Sequence, residues 1–287
     1  MIPLILSIAS SSLIFVIFKL FTRYNIDTFQ AIIFNYFTAF IIGMGLYSNE
    51  WKSEFLERSD WMFAAVACGI LFISLFFIMG KSSQSNGVAT TSVAVKMSMA
   101  ASLIGMIAIY GTPLNVFNST GIIFAILGVF LVSYSKSDKV NASWMLLVLF
   151  LGSGCLDFLL YFIQNSILKD MPSSIFSAIG LGMSGVFGGG ILAYQLITKQ
   201  KQFQFKNLLA GVILAVPNYF SIYLLILSYK STGWNNITVL SITNVSVVVT
   251  SALLGFLAFK EKVNQRKIAG LISAIFAIIL LYLSNSN

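Results

Sequence analysis

Apolar runs of about 20 residues recur along the whole chain, separated by short polar breaks, a length that spans a bilayer as a helix. The pattern predicts ten such helices, over 2–21, 29–47, 61–81, 87–110, 117–135, 142–166, 172–196, 207–229, 234–259 and 265–284. The breaks are short except for the charged stretch Ser48–Asp60, and none is large enough for a soluble domain. The first run begins at Ile2 with no basic segment before it and no small-residue cleavage site, so it reads as a retained span.

Composition agrees with a lipid solvent. Of 287 residues, 58% are hydrophobic and 9% charged, whereas soluble domains carry about 25% charged residues. Mean hydropathy is +0.91. The net charge of +8 comes mainly from short loops, which argues against nucleic-acid binding, because that needs a soluble basic face. Ten spans put both termini on one side. That side holds Lys52, Arg58, Lys169 and Lys230; the other holds Lys19, Arg23, Lys81, Lys136, Lys139, Lys199, Lys201, Lys206, Lys260, Lys262, Arg266 and Lys267. The positive-inside rule then places both termini outside the cytoplasm. Cys68 and Cys155 fall inside apolar spans and read as buried thiols filling small spaces.

The second half repeats the first. At a shift of 149 residues, Lys81–Ser135 lies ungapped on Lys230–Ser284, pairing Ser82 with Ser231, Asn86 with Asn235, Ser92 with Ser241, Asn115 with Asn264 and Gly121 with Gly270. Two five-span halves, 1–136 and 137–287, would enter the membrane in opposite orientations. The expected fold class is therefore all-α integral membrane, with two inverted five-helix repeats around a central cavity, an architecture of secondary transporters.

Lys96 is the residue that stands out. It sits about 14 Å into its span at 1.5 Å per residue, too deep for its side chain to reach the interface. A lysine at that depth costs at least ~2.5 kcal/mol on insertion scales, so such charges normally face a partner or a wet cavity. Asp157 is the other deep charge, about 22 Å into its own span. Two readings follow. Lys96 attracts an anionic group of a substrate while Asp157 balances it or carries a coupling proton, or the two form a structural ion pair. Ser92 lies one turn before Lys96 on the same face, and Ser241 and Asn244 share a face of the polar ninth span. Asn218 and Tyr219 follow Pro217, which frees a backbone carbonyl inside the eighth span. Each of these polar residues also has a plain reading as an interhelical hydrogen-bonding group. The glycines of the seventh span, with Gly185 and Gly189 at GxxxG spacing, predict close helix packing.

The run Phe259-Lys-Glu-Lys-Val-Asn-Gln-Arg-Lys-Ile-Ala-Gly270, with Glu261 in the turn and Gly270 opening the last span, resembles the drug/metabolite transporter superfamily, specifically its EamA-type repeat. In the first half the acidic position is Thr112. The resemblance covers essentially the whole chain. It implies ten helices around a central cavity lined largely by the third, fourth, eighth and ninth, transport of small metabolites, and termini in the cytoplasm, opposite to the charge count.

The function expected is secondary transport of a small polar metabolite, amino acid or organic anion-like, by alternating access. Lys96, Asp157, Ser92, Asn244, Ser241, Asn218 and Tyr219 are the candidate substrate-binding residues. The alternatives are a multidrug or cation exporter of the same fold, and a channel or scaffold. Enzymatic chemistry is disfavoured: there is no His, only one deep carboxylate, and no Walker A sequence. The expected partners are a small-molecule substrate, the lipid bilayer and protons as a candidate coupling ion, with no cofactor, metal or nucleic acid. One chain with an internal repeat needs no second subunit, so a monomer is expected, in a bacterial inner membrane.

Overall fold

The computed structural model describes residues 1–46, 48–50, 60–110, 116–133, 140–163, 173–233, 236–261 and 264–286. Thr112, Asn115, Asn235, Lys262 and the loop cations Lys52, Arg58, Lys136, Lys139 and Lys169 lie outside them, as does the side chain of Ser241. Among the described residues there is no strand. The α-helices are α1 (Ile2–Arg23), α2 (Thr28–Leu46), α3 (Asp60–Ser85), α4 (Val88–Tyr110), α5 (Val116–Ser133), α6 (Val140–Phe162), α7 (Ser173–Ile197), α8 (Phe205–Ser231), α9 (Asn236–Phe259) and α10 (Gln265–Ser286). Among the described residues eight are long and apolar enough to cross a membrane; the apolar stretches Ser119–Val132 in α5 and Trp144–Leu160 in α6 are shorter. The chain is an integral membrane protein.

Two compact units emerge, and each draws segments from both halves of the chain. The first comprises Met1–Leu20, Ile78–Phe158 and Phe220–Asn287; the second comprises Phe21–Phe77 and Leu159–Tyr219.

In the first unit α10 packs along α5, and α9 packs on α4. Its core joins Val93, Met97 and Ala100 of α4 to Ala125 and Val129 of α5, Val248 of α9 and Ala274, Ala277 and Ile278 of α10. Lipid removes most of the hydrophobic drive for such packing, so close van der Waals fit has to supply it. Small residues permit that fit. A Cβ added to Gly121 would come within 3.3 Å of the Ala277 carbonyl, and one on Gly128 within 3.1 Å of the Gly270 carbonyl. As α5 advances from Gly121 to Gly128, its partners on α10 recede from Ala277 to Gly270, so the helices run antiparallel. Ser273 Oγ donates to the Phe124 carbonyl across the same seam (2.8 Å). Helices α4 and α9 are also antiparallel: Met99 meets Asn244, and Ala89 meets Gly255.

Loop residues start the helices. Asn264 Oδ1 accepts from the Lys267 N–H (2.8 Å), capping α10. At the start of α4, Gly87 adopts φ +98°, a left-handed conformation that suits glycine.

In the second unit α7 lies antiparallel on α2: Gly188 faces Ile33, Gly185 and Gly189 both face the Phe37 ring, and Gly182 faces Phe40. The glycine-rich face of α7 is thus a packing surface, as its spacing predicts. Ser184 Oγ donates to the Gly69 carbonyl (3.0 Å) and Tyr36 Oη to the Phe72 carbonyl (2.7 Å), tying α3 to α7 and α2. Both cysteines are free. Cys68 is buried, but Cys155 is exposed on α6, which corrects the expectation of two buried thiols: an apolar run does not specify which face of its helix is covered.

Candidate functional site

The polar cluster of the first unit is built around α4. Lys96 lies eight residues beyond Val88, about 12 Å along the helix axis. Its side chain is half-buried. Asp157 on α6 is exposed. Helix α6 reaches α4 closely because position 154 is glycine: a Cβ there would lie 2.9 Å from the Ser98 carbonyl and 3.1 Å from the Ser102 nitrogen. One turn further on, Asp157 Oδ2 lies 3.2 Å from Ser98 Oγ. That hydroxyl also lies 2.7 Å from the Val95 carbonyl. Its single proton serves one acceptor at a time. Lys96 and Asp157 interact electrostatically, yet among the described residues no direct ion pair joins them.

A neighbouring face of α4 meets α9. Asn244 is buried and its Nδ2 contacts Met99 Sδ at 3.8 Å, a weak hydrogen bond to sulfur. Met99 follows Lys96 by three residues on the same side of α4. Ser92 is fully buried and its hydroxyl donates to the Ala89 carbonyl of its own helix (2.8 Å). Its neighbour Thr91 shares a hydrogen bond with Ser82 of α3 (2.8 Å).

Asn218 and Tyr219 belong to the second unit, both buried on α8 beside Pro217. Asn218 Nδ2 donates to Asn35 Oδ1 of α2 (3.2 Å). The Tyr219 ring packs by Gly43. The first unit therefore gathers Lys96, Asp157 and Asn244 around α4, while Asn218 pairs with Asn35 and Tyr219 packs by Gly43 in the second.

Two participants carried no sequence signal of their own. Ser98 contacts Asp157 only because Gly154 lets α6 approach. Asn35 is wholly buried and pairs with Asn218 across two helices distant in sequence.

The same unit holds the acidic turn. Glu261 Oε1 accepts from the Val88 N–H (2.7 Å), so the carboxylate sits on the N-terminus of α4, where the helix dipole favours negative charge. In the second unit, outside the spans, Asp27 caps α2 through the Phe29 and Gln30 N–H groups (3.0 and 3.1 Å) and pairs with Lys201. Burial works to raise its pKa, but the hydrogen bond and charge of Lys201, with the two backbone donors, outweigh this and hold it below the ordinary 3.8. Asn207 and Gln30 complete that network through a side-chain hydrogen bond (3.0 Å). Among the described residues no group of His, Cys, Asp or Glu side chains could hold a metal ion.

No family model matches this chain. An uncharacterized protein of Haemophilus influenzae is 26% identical over 288 residues, covering 97% of each chain. A crystal structure of a protein with 11% identity covers 98% of this chain and 99% of its own, with a TM-score of 0.59. That second likeness is one of fold.

Proposed function

We propose that this chain is a secondary transporter of the EamA type within the drug/metabolite transporter superfamily, moving a small polar metabolite by alternating access across a bacterial inner membrane. It would use ten helices in two inverted five-helix repeats, 1–136 and 137–287. Several contacts support the inverted repeat. Helices α4 and α9, and α5 and α10, are mates at the 149-residue shift, and each pair runs antiparallel. Under that shift the contact of Gly121 with Ala277 becomes that of Gly270 with Gly128. A contact that maps onto its partner when the halves are exchanged is what a two-fold relation produces.

The observation that carries the reading is the state of the two deep charges. Lys96 and Asp157 sit on apolar helices, keep accessible surface, and are not closed on each other as a direct pair. Charges left open at that depth face water or a solute rather than hydrocarbon. Lys96 would attract an anionic group, Asp157 with Ser98 would receive a cationic group or a proton, and Asn244 would supply an amide beside them. Ser92, closed on its own helix, contributes backbone shape. Asn218 and Tyr219 stay candidates by their place at the proline of α8.

The test is a thermal-shift screen of purified protein against amino acids, organic acids, nucleosides and phosphates, followed by flux of any hit into proteoliposomes. Lys96→Met is expected to abolish both the shift and the flux, at least tenfold, while the protein stays folded. Full flux in that variant removes the reading. Flux without saturation would favour a channel.

A further inference from the structure

The turn between α3 and α4 is held from two sides by opposite charges. Lys19 Nζ of α1 donates to the Gln84 carbonyl at the end of α3 (2.9 Å), and Glu261 accepts from Val88 at the start of α4. Each charge matches the helix end it meets, cation on carbonyl and carboxylate on N–H. Two glycines make room for the carboxylate. A Cβ on Gly87 would lie 2.6 Å from Glu261 Oε2, and one on Gly255 would lie 2.7 Å from it. The Glu261 N–H also donates to the Gly255 carbonyl (3.1 Å), fixing the loop to the end of α9. This carboxylate therefore joins the start of the helix that carries Lys96 to the end of the helix that carries Asn244.

None of these three residue types recurs at the repeat-mate positions. The mate of Glu261 is Thr112, that of Gly87 is Asn236, and that of Gly255 is Met106. Thr112 lacks the charge, and neither Asn236 nor Met106 is glycine. The sequence therefore carries this set of residues at one of the two mate positions.

We propose that Glu261 is a one-sided latch: it holds the start of α4 against the end of α9 at the membrane face rich in basic residues, and so biases the chain toward the state closed at that face. The idea rests on the two-state transporter reading above. A symmetric pair of halves would populate both states about equally. One charge-assisted cap present in only one of them tilts that balance.

The test uses Thr90, which is buried and lines a shallow cleft with Ala89, Glu261 and Lys267. Thr90→Cys is made in full-length protein with Cys68→Ala and Cys155→Ser, and labelled with a water-soluble maleimide. Glu261→Ala is expected to raise the labelling rate about tenfold, the scale of losing one helix cap. Glu261→Gln, which keeps an acceptor oxygen without the charge, should raise it less. Equal rates in all three, with unchanged helical content, would overturn the latch. If Thr90→Cys does not fold, Ala89→Cys reports on the same cleft. Faster labelling in Glu261→Ala from a protein that moves no solute would keep the tie between α4 and α9 and remove the transporter reading, and with it the bias between states.

Discussion

Both units close charges on helix ends, but they differ in the polar groups within their helices. In the second, Asp27 and Lys201 pair at a helix end and join Gln30 of α2 and Asn207 of α8, and further along the same two helices lies a neutral amide pair, Asn35 with Asn218. The glycines of α7 seal the remainder against α2. In the first unit Lys96 and Asp157 sit within helices and keep access. Under the proposed function Lys96 and Asp157 would be left without a direct ion pair so as to meet a solute, whereas Asp27 and Lys201 are paired.

The sharpest way to break this contrast is at Gly154. Gly154→Leu would drive a side chain into Ala101 and the backbone of Ser98 and Ser102, which cannot swing aside. A loss of about 3 kcal/mol is expected, at the upper end for overpacking. Thermal unfolding in detergent should show it, together with loss of any substrate-induced shift, because Asp157 moves away from Ser98. A substitution that large leaving both readouts intact would mean that the close approach of α4 and α6 is unimportant to the cluster.

In the second unit Asn218→Leu should be far milder. It removes one amide contact, worth ~0.6 kcal/mol on average between membrane helices, and the unpartnered Asn35 adds to the loss. A fall in melting temperature with flux retained is expected. Loss of flux at unchanged stability would instead make Asn218 a substrate contact and erase the contrast between the units.

The smallest effect lies at the helix end. Asp27 has a folded pKa below its unfolded one, so its contribution is present above the unfolded value near 3.8 and is lost as pH falls through the folded value. Asp27→Asn should flatten the stability profile in that acidic window and lower stability slightly at pH 7. A profile unchanged by the substitution would show that Lys201 does not hold the carboxylate.

Much of this arrangement was legible in the chain. The apolar runs predicted ten spans, and among the described residues eight helices are long and apolar enough to cross a membrane, because a lipid solvent forces long uninterrupted segments. Lys96 and Asp157 stood out because hydropathy makes a deep charge conspicuous, and the α7 glycines announced a packing face. The pairings did not show. Ser98 with Asp157 and Asn35 with Asn218 depend on where helices cross, and a crossing leaves no mark in either segment alone. Cys155 was misplaced for a related reason: in a uniformly apolar helix, periodicity does not distinguish the covered side from the open one. Glu261 attracted notice through a family likeness, whereas its physical task, capping α4, required the tertiary contact.

The seam of α5 and α10 has a consequence of its own. Its glycine contacts trade places when the halves are interchanged, so under the proposed inverted repeat the joint would present the same profile to either face of the bilayer. An axle has that property, and the rocking that the transporter reading requires would leave its bearing surface intact.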